Sequence, residues 1–185
     1  MPELGLADKL VAIDVALAKG SIPHAFGGAI ALAYYAEPRA TIDIDCNVFV
    51  NPEAHAEVTH ALEPLGFDAA IDPVRVKSDG QVRIKWGATP IDLFFAYDPV
   101  HDAMADGIRR VDFGDTTIPI LGPEHLVVCK VVFDRAKDWL DIEQVLVAVE
   151  AFDVDTVRRW VRRVAGAGDQ RARRFDEIAA RLLGR

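Results

Sequence analysis

The stretch Arg39-Ala40-Thr41-Ile42-Asp43-Ile44-Asp45 decides how this chain is read. It alternates, is rich in β-branched residues and runs on through Cys46-Asn47-Val48-Phe49-Val50, which predicts a strand over 41–50. Side chains two apart on a strand share a face. Thr41, Asp43 and Asp45 are therefore expected on one face, with Ile42, Ile44 and Cys46 in the opposite layer. Aspartate is depleted in strands, and neighbouring carboxylates resist burial unless a cation neutralises them. The competing reading is a half-exposed edge strand with incidental acids. A divalent ion with oxygen ligands is the natural cation, and Mg2+ usually takes one or two carboxylates plus substrate phosphates.

Outward from that strand, the chain reads as strands mixed with helices and then helices alone. Leu6, Leu10, Ile13 and Leu17 predict a helix over 3–18 that Gly20 stops, and a short strand over 24–26 follows. Gly27-Gly28 opens a helix over 29–36, ended by Pro38. A further helix runs from Pro52 to about Leu62, closed by Pro64 and Gly66. Residues 74–77 and 81–86 flank Ser78-Asp79-Gly80 and predict a hairpin. The apolar run over 91–97 suits a central strand, and a second hairpin joins 109–113 to 116–121 across Gly114-Asp115. From Pro123, helices are expected near 123–133, 137–150, 154–164 and 169–183. The class is α+β: a mixed or antiparallel sheet flanked by helices over 1–122, followed by a helical C-terminal subdomain over 123–185.

Composition narrows the setting. The 185 residues are 51% hydrophobic and 27% charged, enough for a real core and a solvated surface. No apolar run approaches the ~20 residues of a membrane span, so no membrane partner is expected. Residues 1–20 place Glu3, Asp8 and Asp14 at helical intervals and have no basic start, unlike a secretion signal. Cys46 and Cys129 cannot build a disulfide framework, which makes a reducing cytoplasm the expected compartment. His24, His55, His60, His101 and His125 are too scattered for a ligand set and read as surface or structural residues. Net charge is −8, yet nine arginines face three acids from Val157 onward, so the rest of the chain carries −14. Such polarity marks either a partner-facing segment or a solvated arginine-rich helix.

Two further features bear on chemistry. Asp92 lies inside the apolar run Ile91-Asp92-Leu93-Phe94-Phe95 and would join Asp43 and Asp45 if the two strands pair. Three such acids can hold metal ions that clamp both oxygens of a phosphoryl displacement. Gly27-Gly28 lets the backbone approach phosphates closely. It is not GxGxxG, and no Walker-type Gly-Lys-Ser/Thr is present, which excludes Rossmann and P-loop sites. Ser21 and Ser78 stand in no elbow motif and Cys46 faces away from the acids, which discounts a serine or cysteine hydrolase.

Phe26-Gly27-Gly28, then Arg39-x-Thr41-x-Asp43-x-Asp45 and later Ile91-Asp92, resembles the DNA polymerase β-like nucleotidyltransferase superfamily. The resemblance is greatest to small prokaryotic members that include the abortive-infection toxins of type IV toxin–antitoxin systems, and it spans about 24–149. It implies a nucleotidyltransferase sheet and transfer of a nucleoside monophosphate from an NTP to a hydroxyl or phosphate acceptor. It implies that Asp43 and Asp45 bind Mg2+ or Mn2+, and that Asp92 binds metal or activates the acceptor. Gly27 and Gly28 would hold the triphosphate, with Arg39 and Thr41 beside the nucleotide. Lys130 would complete the catalytic group, with Asp138 or Asp141 as its companion. The other reading of Lys130 is a surface lysine paired with Asp134, and that of Arg39 a loop arginine balancing Asp43. The family's second glycine is often serine, and Gly28 offers no hydroxyl. The acceptor would be RNA (including tRNA ends), a protein or a small molecule, and an antitoxin partner is expected. A non-catalytic nucleotide-binding or partner-binding module on the same fold is the alternative.

Overall fold

The computed structural model describes residues 4–66 and 71–184. Glu3, expected to start the first helix, and Arg185, one of the terminal arginines, lie outside the described residues. The chain divides into two compact units, Met1–Ile30 with Ala40–Leu121, and Ala31–Arg39 with Gly122–Arg185.

In the first unit α1 (Leu6–Lys19) buries the stripe Leu10, Ile13 and Leu17 and stops at Gly20. β1 (His24–Phe26) and α2 (Gly28–Leu32) follow, and the last two residues of α2 belong to the second unit. After β2 (Ile44–Val48), a 3-10 turn capped by Asn51 leads into α3 (His55–Leu62). The remaining elements are α4 (Pro73–Asp79), β3 (Gln81–Trp86), β4 (Thr89–Phe95), α5 (Pro99–Asp106), β5 (Arg109–Phe113) and β6 (Thr116–Ile120). The six strands among the described residues form one mixed sheet in the order β3-β4-β2-β1-β6-β5. β2 runs parallel to β4 and β1 parallel to β6, while the other neighbours are antiparallel. Ile44, Cys46 and Val48 of β2 and Ile91, Leu93 and Phe95 of β4 are fully buried on one face. α1 packs on β1 and β6, and α3 packs on α1.

The sheet corrects two expectations. Residues 74–77 are not a strand: Asp72 accepts hydrogen bonds from the backbone N–H groups of Val74 and Arg75, Pro73 takes the first helical position, and Gly80 ends the helix at φ 65°. Such a cap contributes about 1 kcal/mol to a short helix. The real hairpin joins β3 to β4, with Trp86 opposite Thr89 and Gly87 at φ 60° in the two-residue turn. The strand expected over 41–50 is confined to Ile44–Val48, and Ile42 is 77% exposed instead of lying in the apolar layer. α5, started by Asp98 and Pro99, was not anticipated from the sequence.

The second unit contains α6 (Pro123–Phe133), α7 (Ala136–Ala148), α8 (Val154–Ala165) and α9 (Gln170–Leu183). α6 packs against the other three, around Leu126, Val131, Ile142, Val145, Val157, Val161 and Phe175. The arginine flank of α8 faces acids rather than open solvent alone. Arg158 and Arg162 both donate to Asp176 of α9 at 2.8 Å, and Arg158 also donates to Asp155. No helix among the described residues is long and apolar enough to cross a membrane.

His125 of α6 carries a buried Nε2 with no hydrogen-bond partner. Burial holds its imidazole below the ordinary 6.5, against the pull of Glu124 and with help from Arg159. The unfolded chain therefore takes up a proton that the folded chain refuses, so stability should fall as pH drops through 6.5 toward the lowered folded value. Thermal melts across about pH 7 to pH 5 check this: wild type should lose more stability than His125→Leu, and parallel curves would show that His125 does not contribute.

Candidate active site

Strand register builds the first group of side chains. Asp45 lies directly opposite Asp92 across the parallel β2–β4 pair, and Arg83 lies opposite Asp92 across the antiparallel β3–β4 pair. Residues paired in this way project from the same face of a sheet. That face is the one opposite Ile44, Cys46, Ile91 and Leu93, so the hydrophobic alternation of both strands fixes where the acids go. Beyond Asp45, the N–H of Gly27 donates to the Asp45 carbonyl at 2.9 Å. A row of Arg83, Asp92, Asp45 and the Gly27–Gly28 turn thus crosses the sheet.

The glycine turn is shaped by its neighbour. Gly28 has φ 52°, and a Cβ built on it would stand 1.7 Å from Asp45 Oδ2. The Asp45 carboxylate therefore rests against bare backbone, and a serine at this position would displace it. Asp43 precedes β2 and is only partly exposed. Thr41 Oγ1 donates to the Asp43 carboxylate and accepts from the Asp43 N–H at 3.3 Å. Thr41 and Asp43 thus lie in the segment entering the strand, not on the strand face expected for them. Cys46, buried behind the acids, has its thiol pushed up by burial and by Asp14 and Asp45, which leaves it no nucleophilic role.

Arg83 is the residue that sequence reading missed. Its Nε donates to Asp92 Oδ1 at 2.7 Å and its Nη2 to Oδ2 at 2.6 Å, a fork on both carboxylate oxygens. The Asp92 hydrogen bond, then the charge of Asp92 and, more weakly, of Asp43 and Asp45, holds its guanidinium above the ordinary value. The signal was available in the turn. With the hairpin at Gly87-Ala88, counting back from Trp86 opposite Thr89 brings Arg83 to Asp92. With the hairpin assigned to Ser78-Asp79-Gly80, that register is lost. Among the described residues, no three His, Cys, Asp or Glu side chains are arranged to ligate one ion. The acids supply the hard oxygen donors that Mg2+ or Mn2+ prefers, and a guanidinium already stands where opposite charge is needed.

The second unit gathers the other predicted residues. Lys130 is 3% exposed, and its Nζ donates to Asp141 Oδ2 at 2.6 Å and lies 3.9 Å from Asp138 Oδ1. Asp138, fully buried, accepts from Nε, Nη2 and the backbone N–H of Arg135 at 2.6, 3.1 and 3.2 Å. Arg39 donates to Asp141 from Nε and Nη2 at 3.3 and 3.2 Å. Lys130 is thus no surface lysine paired with Asp134. Asp134 ends α6 at φ 55° and accepts from Trp139 Nε1 at 2.7 Å. Arg39 holds Asp141, where the sequence suggested a phosphate or Asp43.

This sheet, with acids on β2 and β4 and a Gly-Gly turn after β1, is the fold of the DNA polymerase β-like nucleotidyltransferases. A family model described as nucleotidyl transferase AbiEii toxin, type IV toxin–antitoxin system, matches residues 10–183, and the chain belongs to that family. No curated protein matches it. Solved structures agree on the fold. The antibiotic-resistance factor ANT(2'')-Ia is 15% identical, with 86% of this chain and 90% of that one covered at a TM-score of 0.60. An antigenic nucleotidyltransferase-like protein from Paracoccidioides brasiliensis is 13% identical, with 97% of each chain covered at 0.56. The lincosamide antibiotic adenylyltransferase LnuA, bound to lincomycin, is 12% identical, with 80% and 99% covered at 0.54.

Lys130→Ala should lower stability by about 3 kcal/mol, the low end for a broken buried ion pair, because Arg39 and Arg135 still hold the two carboxylates. Urea unfolding measures it. A loss below about 1 kcal/mol is what a solvated surface pair would give and would contradict the buried network.

Proposed function

We propose that this nucleotidyltransferase moves a nucleoside monophosphate from an NTP, with Mg2+ or Mn2+, to an acceptor hydroxyl or phosphate. The observation carrying this reading is the register that sets Asp45 beside Asp92 next to the Gly27–Gly28 turn. Asp43, Asp45 and Asp92 would hold the metal. When bound, the ion supplies positive charge to the phosphoryl oxygens. The chain's own part is positioning. Gly27 and Gly28 let the triphosphate lie against backbone, Thr41 steadies the Asp43 carboxylate, and the Asp92 carboxylate can take the proton of an acceptor hydroxyl. In-line attack on the α-phosphorus then forms a new phosphodiester with a hydroxyl, or a new anhydride with a phosphate, and releases pyrophosphate.

Lys130, with Asp138, Asp141 and Arg39, forms the second group in this reading. Asp141 and Asp138 hold the lysine in one place and orientation. RNA, including tRNA ends, is the acceptor we favour over a protein or a small molecule, on the positive surplus after Val157. The pairing of Arg158 and Arg162 with Asp176 ties up two of those arginines. Other carriers of the surplus are Arg159, Arg173 and Arg174. The family's type IV toxin–antitoxin description supports a regulatory antitoxin partner, and two cysteines without a disulfide suit a cytoplasmic setting.

The test is incubation with each α-labelled NTP, Mg2+, total RNA and total protein. Label should enter the RNA fraction, and Asp45→Asn should cut the rate by about a thousandfold or more while melting like wild type. Equal labelling by Asp45→Asn would reject the mechanism. NTP-dependent thermal stabilisation without any transfer would instead mark a nucleotide-binding module.

A further inference from the structure

The row of charges on the sheet poses a problem that the acids alone do not solve. Asp45 and Asp92 are lateral neighbours on strands about 4.8 Å apart. Like charges at that spacing repel, and a cation beside them relieves the repulsion. β3 supplies the cation from within the chain. Arg83 cannot lose its proton at any ordinary pH. Its fork engages both oxygens of Asp92, and with Asp92 held in this way the described acids form no set of three around one point.

The position of Arg83 also allows it to leave. β3 is an edge strand of the sheet, and the Arg83 side chain is 59% exposed while that of Asp92 is 16% exposed. A long side chain on an exposed edge can rotate into solvent without unpacking the core. Ile84, its buried neighbour in sequence, anchors the strand on the other face.

We infer that Arg83 is a tethered counter-cation of the acid row, holding Asp92 until a divalent ion enters and then yielding that carboxylate to it. This rests on the metal-binding reading of Asp43, Asp45 and Asp92 given above. Two consequences follow. A divalent ion arriving alone must displace the guanidinium from Asp92, which weakens its binding. An ion arriving with a triphosphate offers the displaced fork new oxygens to bind, since guanidinium matches phosphate as well as carboxylate. Arg83 thereby couples metal entry to nucleotide entry, and the coupling is reciprocal. It is a positioning residue in this role, because it acts through Asp92.

Mn2+ binding, read from the electron paramagnetic resonance signal of free Mn2+, tests the inference without using activity. Wild type, Arg83→Gln, Arg83→Lys and Asp45→Asn are compared with and without a non-hydrolysable NTP, after circular dichroism has matched their folds. Arg83→Gln should bind Mn2+ alone about tenfold more tightly than wild type, the size of one competing charge-assisted fork. Its gain in Mn2+ affinity on adding nucleotide should be smaller than that of wild type. Arg83→Lys, which keeps the charge but not the fork, should fall between the two. If Arg83→Gln binds Mn2+ alone no more tightly than wild type while Asp45→Asn loses binding, the counter-cation role is overturned and the metal site stands. If wild type and Arg83→Gln bind no Mn2+ with or without nucleotide, the metal reading fails and this inference falls with it.

Discussion

Asp45 and Asp92 stand side by side on parallel strands, and the repulsion between their carboxylates is the constraint that everything else on that face of the sheet must answer. Hydrophobic alternation on β2 and β4 fixes the register, because a slip of one residue would turn Ile44, Cys46, Ile91 and Leu93 out of the core. Burial of those side chains therefore forces the acids together on the opposite face. Core packing and site geometry are the same decision. The charge that the packing imposes is met on one side by the Arg83 fork, and on the other the Asp45 carboxylate rests against the bare backbone of Gly28, where a side chain would collide with it.

The second unit solves a different electrostatic problem. Lys130 is almost fully buried, and a buried ammonium without partners would be prohibitively costly. Asp141 and Asp138 supply the partners; Arg39 donates to the same Asp141 oxygen as Lys130, and Arg135 donates to both oxygens of Asp138. Networks of this kind contribute little net stability compared with an apolar core, yet they hold a charge in one place and orientation. Residues Ala31–Arg39 cluster with the C-terminal helices, so the Arg39 that the sequence linked to the acid strand belongs to the lysine group instead.

Much of this was legible from residues alone, for identifiable reasons. Pro123 and the periodicity after it placed α6, and Gly114-Asp115 placed the β5–β6 turn, because those signals act locally. The alternation over 41–50 marked Asp45, although the strand proved shorter than its β-branched run and left Asp43 in the segment before it. The errors came where two local signals competed. Ser78-Asp79-Gly80 is a plausible hairpin turn, but Asp72 and Pro73 upstream make the preceding residues a helix and turn Gly80 into its stop. That single misreading hid the Gly87 turn and, with it, Arg83. Lys130 illustrates the other limit: its spacing to Asp134 suits a surface pair, and only helix packing reveals that Asp141 is its partner.

In the function proposed here, the Asp45–Asp92 row and the Gly27–Gly28 turn together receive a metal-bound nucleotide. The most direct measurement is a crystal structure with Mn2+ and a non-hydrolysable NTP, with the ion located by its anomalous scattering. The expected result is an anomalous peak ligated by carboxylate oxygens of Asp45 and Asp92, with the triphosphate lying along the backbone of Gly27 and Gly28. A nucleotide bound elsewhere, with no peak at the β2–β4 acids, would contradict it.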